Sequence, residues 1–250
     1  MAIQPLPSDS GIHFLTLPTT THIPAWVGEV AETDYATTLS RDGATIRTVE
    51  HLLSALHAYG ITNLLVKVHG EIPVLDGSAL GFLEKLEEIG VEDQELPVKE
   101  LVIDRRWEVG DGNEKILTIE PADEFSVSYL LRYPQPIGEQ FYEFTMSDCE
   151  AYRDEIAPAR TFGFVRDVKM LNELGLGTGG RLHNFILVSD DEVINTELRF
   201  PDEFVRHKIL DIIGDLYLLG YPVRGKVTAR FTGHRDNIKL QRLILADLGL

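Results

Sequence analysis

The chain has 250 residues, 44% of them hydrophobic and 25% charged, enough apolar material for one large packed domain or two small ones. A net charge of -17 argues against nonspecific nucleic-acid binding and docking on anionic lipid, both of which need clustered Lys and Arg. An anionic ligand must therefore meet a local group of basic side chains.

Residues 1–47 are rich in Thr and β-branched residues with Pro and Gly breaks, which predicts short strands and loops. At Thr48 the period changes to helical: Val49, Leu52, Leu53 and Leu56 share one face, Thr48 is the expected N-cap, and Gly60 the stop. NLLVKVHG reads as a strand, EIPVLDGS as a loop, and ALGFLEKLEEIG as a second helix ending at Gly90. The acidic, Pro-bearing Val91–Glu100 stretch is an expected linker, giving units of 1–96 and 97–250. Strands are expected over Leu101–Val109, Lys115–Glu120 and Phe125–Arg132, and helices over Ser147–Asp154 and Val165–Leu174. His183–Val188 and Glu192–Asn195 read as strands, Glu203–Leu219 as a long helix, Lys226–Phe231 as a strand, and a last helix begins near Asp236.

HLLSALHAYG-ITNLLVKV and HKILDIIGDLYLLG-YPVRGKVTARF are both a His-led apolar helix, a Gly turn and a strand. This weak repeat predicts an α+β fold of two similar units, each a sheet covered by helices on one face. The one cysteine, Cys149, excludes an internal disulfide, and its acidic neighbours Asp148, Glu150 and Asp154 disfavour a thiolate. The opening MAIQPLPSDS has no basic-then-apolar pattern, and no uncharged run approaches the ~20 apolar residues of a membrane span. A cytoplasmic protein without an integral membrane segment is expected.

The 206–216 stretch, RHKILDIIGDL, carries the chemistry. At 100° per residue Asp211 lies about 40° and Asp215 about 80° around the helix from His207, with Gly214 beside them and Ile209, Ile212, Ile213 and Leu216 opposite. Read alone, this is an amphipathic helix with a solvated polar face. Read as a site, His207 and Asp211 at i, i+4 can point an imidazole nitrogen and a carboxylate oxygen at one metal ion. A third ligand at His51, in TVEH, would make a His₂Asp zinc site with a position left for water, and Glu50 beside it would accept the water's proton. His234, in FTGHRDN, is placed at a Gly-marked turn where a general acid can sit, with Asp215 to orient it. Thr161 and Phe162, in PARTFGF, offer a hydroxyl and an apolar face, while Lys208, Arg160 and Arg235 offer local positive charge. GLGTGG (Gly175–Gly180) fits G-x-G-x-x-G only formally, since it follows a helix and no helix begins after it.

Taken together, TVEHLLSAL, EIPVLDGSA, ARTFGF, GLGTGG, LRFPDEFVRHKILDIIGDLYLLG and the Gly233–His234 pair resemble the UDP-3-O-acyl-N-acetylglucosamine deacetylases, zinc amidases of lipid A biosynthesis, from about Gly11 to Ile244. The resemblance implies two α+β domains, each a mixed sheet covered by helices on one face, with the active site between them, and the committed, acetate-releasing N-deacetylation of a UDP-linked acylated glucosamine, with Zn2+ as cofactor. It implies His51, His207 and Asp211 as zinc ligands, Glu50 as the water-activating base, and His234 as a protonated charge stabiliser oriented by Asp215. Thr161 then helps hold the oxyanion, and Phe162 and Lys208 contact substrate. Residues from about 177 to 199 resemble the insert that forms a hydrophobic passage for the acyl chain. No nucleic-acid partner is expected, and the oligomeric expectation is a monomer or weak oligomer.

The family's opening strand pair, with its G-x-G-L-H-[ST]-G motif, has no counterpart in this sequence. Its loss is expected to remove strands from the first sheet and a contact near substrate, and to leave strand edges open to pairing. A non-catalytic substrate-binding relative is the alternative reading that follows from it.

Overall fold

The computed structural model describes residues 1–167 and 184–249. Strands β1 (Ala2–Pro5), β2 (Ile12–Thr16) and β3 (His22–Pro24) come first, then a small antiparallel sheet of β4 (Val30–Glu32), β5 (Thr38–Arg41) and β6 (Ala44–Ile46). Helix α1 (Glu50–Ala58), strand β7 (Leu64–Val68) and helix α2 (Leu80–Ile89) follow. β7 enters the first sheet, whose order is β1-β7-β2-β3, with β2 parallel to β7 and the other pairs antiparallel. Val91–Glu100 forms no element and is exposed at every position, as its acidic, Pro-bearing sequence predicts.

The second half opens with β8 (Leu101–Val102), β9 (Trp107–Gly110), β10 (Ile116–Glu120), β11 (Ser126–Arg132), β12 (Glu139–Thr145) and helix α3 (Cys149–Glu155). β13 (Phe162–Phe164) pairs in parallel with β14 (Ile186–Val188). Helix α4 (Glu203–Leu216) runs into a 3-10 turn at Tyr217–Leu219, then β15 (Val223–Arg224), β16 (Lys226–Arg230) and helix α5 (His234–Leu248). The main sheet here has the order β12-β11-β16-β10-β9, mixed because β11 and β16 run parallel. The fold is α+β with mixed sheets, as expected, and all strand pairings among the described residues join strands on the same side of the exposed stretch.

α4 is central. Twelve of its residues, Glu203 through Leu216 apart from Arg206 and Lys208, are buried. Its apolar arc, with Ile209, Ile212 and Ile213, belongs to one continuous core with Leu53 and Leu56 of α1, Val127 and Tyr129 of β11, and Ile238 and Leu240 of α5. Its polar arc is also buried, so the solvated-face reading of His207, Asp211 and Asp215 is wrong: they are 1%, 3% and 0% exposed.

Other expectations need correction. Thr48 does not cap α1; it sits at φ +60 and its hydroxyl donates to Glu71, while Val49 precedes the helix without a side-chain cap. Gly60 does stop the helix, at φ +73, where few residues other than glycine are comfortable. The single strand expected over Leu101–Val109 is two, because Leu101–Val102 pairs with β15 and Trp107–Gly110 with β10. β12 was not expected; it is an edge strand with Phe141 exposed, so its alternation carries little apolar signal. Glu192–Asn195 forms no strand; its β-pairing is the isolated Val188–Val193 bridge, beside which the N–H of Ile194 donates to Leu187. Most of the helix expected over Val165–Leu174, all of GLGTGG and residues 177–183 of the acyl-passage segment lie outside the described residues.

Candidate active site

The site begins with a close helix crossing. A Cβ on Gly214 of α4 would lie 2.0 Å from the backbone carbonyl oxygen of Glu50 on α1. No side chain fits there. A glycine inside a helix costs about 1 kcal/mol relative to alanine, and this approach is what requires it. The crossing sets the first turn of α1, with Glu50 and His51, against the polar arc of α4.

His51, His207 and Asp211 converge as a result. One donor atom from each lies within 4.8 Å of the other two, and all three residues are buried. Asp211 Oδ1 is 3.4 Å from His207 Nε2 and 3.8 Å from His51 Nε2, too far for good hydrogen bonds. Two ligands of a tetrahedral ion at ~2.05 Å would stand ~3.3 Å apart. The Nδ1–H of His207 donates to the carbonyl of Ala159 at 3.0 Å, which leaves Nε2 as the free lone pair. Asp211 Oδ1 is buried with no hydrogen-bond partner, an arrangement that costs stability unless a cation completes it. The donor set therefore fits a metal ion.

The electrostatics agree. Burial pushes the His51 imidazole down to about 3, with His207 adding to the effect, and burial also lowers His207, so both stay neutral and able to ligate. Burial opposes ionisation of Asp211, but the charges of Lys208 and His234 outweigh it and hold the carboxyl well below its usual range. Lys208 Nζ donates to Asp211 Oδ2 at 2.7 Å.

A buried carboxyl, Glu50, and a buried imidazole, His234, flank the three donors. Glu50 is 2% exposed, and burial lifts its carboxyl to about 8; His234 opposes the rise, while Asp215 and Asp211 add to it. A divalent cation on the neighbouring donors favours its carboxylate form. Burial works against charge on His234 too, but Asp215, Asp211 and the hydrogen bond to Asp215 prevail and raise the imidazole to about 9. Its Nδ1–H donates to Asp215 Oδ2 at 2.7 Å, and Nε2 lies 3.8 Å from Asp211 Oδ2, which puts the charge beside the metal donors.

The remaining expected residues divide. Lys208 Nζ stands 5.6 Å from the ring centre of Phe162, which links Phe162 to Asp211 through one cation. Thr161 is held by its backbone: its N–H donates to Gly77 at 2.7 Å and its carbonyl accepts from Ile186 at 2.8 Å. Arg160 does not supply free charge; its guanidinium is tied to Glu203 at 2.8 Å in a buried ion pair. Arg235 is exposed and paired with Asp34. His234 is not in a turn but is the first residue of α5, so that helix starts two residues earlier than expected.

Sequence reasoning missed several groups. Asn237, one turn after His234, donates to Asp215 Oδ2 at 2.8 Å, and placing the helix start at His234 would have exposed that i+3 relation. The Ala159 carbonyl and Thr37 carry no local signal.

Neutral imidazoles and a carboxylate around one ion, with a carboxylate on one side and an imidazolium on the other, can activate water and protonate a leaving group. That is the chemistry of the metal-dependent hydrolases. The family model for UDP-3-O-acyl N-acetylglycosamine deacetylase matches residues 1–246, and the chain belongs to that family. Similar proteins bearing the name UDP-3-O-acyl-N-acetylglucosamine deacetylase include one from Myxococcus xanthus, 44% identical over 99% of this chain and 80% of the relative. Another, from Anaeromyxobacter dehalogenans, is 43% identical over 99% of this chain and 80% of its own length, and one from Helicobacter pylori is 41% identical over 99% and 84%. Among the described residues no helix is long and apolar enough to cross a membrane.

Proposed function

We propose that this chain hydrolyses the N-acetyl group of a UDP-linked 3-O-acylated glucosamine, releasing acetate in lipid A biosynthesis, with zinc as its metal. The observation that carries this reading is the convergence of His51 from α1 with His207 and Asp211 from α4, next to Glu50 and the His234–Asp215 pair. Family membership supplies the substrate class.

His51, His207 and Asp211 would hold the ion. Zinc bound there supplies Lewis acidity and a nucleophile at neutral pH. Glu50 takes the proton from the attacking water. His234, held protonated by Asp215, faces the negative charge that develops on the carbonyl oxygen and delivers a proton to the departing amine. Thr161 adds an oxyanion contact, and Phe162 with Lys208 presents an apolar face and a positive charge to substrate. The segment from about 177 to 199 guides the acyl chain. We further assign the chain to the cytoplasm and divide it into units 1–96 and 97–250, joined by the exposed stretch.

Zinc-loaded protein incubated with UDP-3-O-(3-hydroxyacyl)-N-acetylglucosamine should release acetate. Binding of that compound with no acetate released would instead support the non-catalytic relative.

A further inference from the structure

Thr37 precedes β5, is fully buried, and has every polar group committed. Its N–H donates to Glu50 Oε2 at 3.1 Å, and its carbonyl accepts from the N–H of Val49 at 3.3 Å. Its hydroxyl donates to Asp215 Oδ1 at 2.6 Å and lies 3.3 Å from His234 Nδ1. A buried threonine in or near a strand ordinarily satisfies its hydroxyl on nearby backbone. This one reaches instead to residues 178 and 197 positions away in sequence.

Asp215 Oδ2 already accepts from His234 and Asn237, at 2.7 and 2.8 Å. Among the described residues, Thr37 is the side chain that holds the other oxygen. With both oxygens occupied, the carboxylate cannot turn, and His234 is aimed by a fixed acceptor. The backbone of the same residue fixes one oxygen of Glu50. Base and acid therefore take their separation from a single residue on the β4–β5 side of the molecule, which supplies no metal donor.

We infer that Thr37 is a positioning residue that fixes Glu50 and the His234–Asp215 pair relative to each other. The inference rests on the deacetylase reading for its kinetic consequence, but not for its geometry. Thr37 makes no contact with the three metal donors that would make it a ligand, and its effect passes through Asp215 and Glu50.

The test compares wild type, Thr37→Val, which keeps shape and the backbone N–H but loses the hydroxyl, and Thr37→Ser, which restores it. All three are loaded with zinc and checked for equal metal content and thermal midpoint. In Thr37→Val, kcat for acetate release should fall about ten- to a hundredfold, the range expected for losing a hydrogen bond to a charged group, with KM unchanged. Thr37→Ser should recover to within about threefold of wild type by the same bond strength. The Nδ1-bound proton of His234, observed by NMR in protein labelled with ¹⁵N-histidine, should move in Thr37→Val and return in Thr37→Ser. A Thr37→Val enzyme with wild-type kcat, a loss that serine does not recover, or an unmoved His234 resonance overturns the inference. If wild type itself releases no acetate, the deacetylase reading has failed, and the His234 resonance still decides whether Thr37 holds the pair.

Discussion

Gly214 of α4 and Glu50 of α1 meet backbone to backbone, so closely that a Cβ at position 214 would stand 2.0 Å from the Glu50 carbonyl oxygen. This contact, made by a residue with no chemistry of its own, sets how near the two helices bring their metal donors. Gly214→Ala should separate them. The variant is expected to lose about 3 kcal/mol of stability, at the upper end for overpacking because the obstacle is backbone, despite alanine's better helix propensity. Urea unfolding checks the stability, and metal retention should fall with it.

Glu50 is adjacent in sequence to His51 but lies outside the group of three side chains that could hold a metal ion. Glu50→Ala should keep its zinc and lose about a hundred- to ten-thousandfold in acetate release, the usual scale of general-base catalysis. Turnover equal to wild type at full metal content would remove Glu50 from the role of base.

Asp215 is read as the group that keeps His234 charged and aimed. Asp215→Asn preserves size but removes the negative charge that most strongly favours the imidazolium. Acetate release should fall about a hundredfold or more, as for loss of a positioned general acid, with the metal retained. A pH titration of the His234 ring should show its protonation moving to lower pH in that variant.

His57, at the far end of α1, gives a stability prediction away from the site. It is buried, stacked on Tyr217 at 4.6 Å and 4°, near Phe125, and burial lowers its imidazole from 6.5 to about 4. Between pH 6.5 and 4 the unfolded chain therefore binds a proton that the folded one refuses. Stability contributed by the neutral ring is complete above 6.5 and is lost as pH falls through that window, by up to about 3 kcal/mol. His57→Phe keeps an aromatic ring in the stack and should flatten the curve of unfolding free energy over this range. An identical acid slope in variant and wild type would refute the assignment.

How much of this is legible in the sequence depends on the distance over which each signal acts. The angular relation of His207, Asp211 and Asp215 follows from the helical repeat alone. Their burial does not, because the groups that cover the stripe, Thr37, Glu50 and His51, lie more than 150 residues earlier, and periodicity says nothing about which faces meet. The solvated-face reading fails for that reason; ligand chemistry offers His51 of TVEH as a candidate partner for RHKILDIIGD, and the family resemblance is what selects it. Gly214 is visible as room beside the stripe, but the close approach that demands it is tertiary. Thr37 is invisible locally: ATTLS reads as an ordinary Thr-rich stretch leading into β5, and its partners come from three other elements. β12 escapes because an edge strand has one face in water, and Phe141 on that face blurs the alternation. The misplaced cap at Thr48 has the same origin, since Glu71 claims its hydroxyl from a distant loop.

The central claim is that two helices, far apart in sequence, give three side chains to one ion. Elemental analysis of zinc-reconstituted, desalted protein tests it most directly. Wild type should carry about one zinc per chain, as a mononuclear site requires, and folded His207→Ala essentially none. Wild type with no metal after reconstitution, or His207→Ala with as much as wild type, would contradict it.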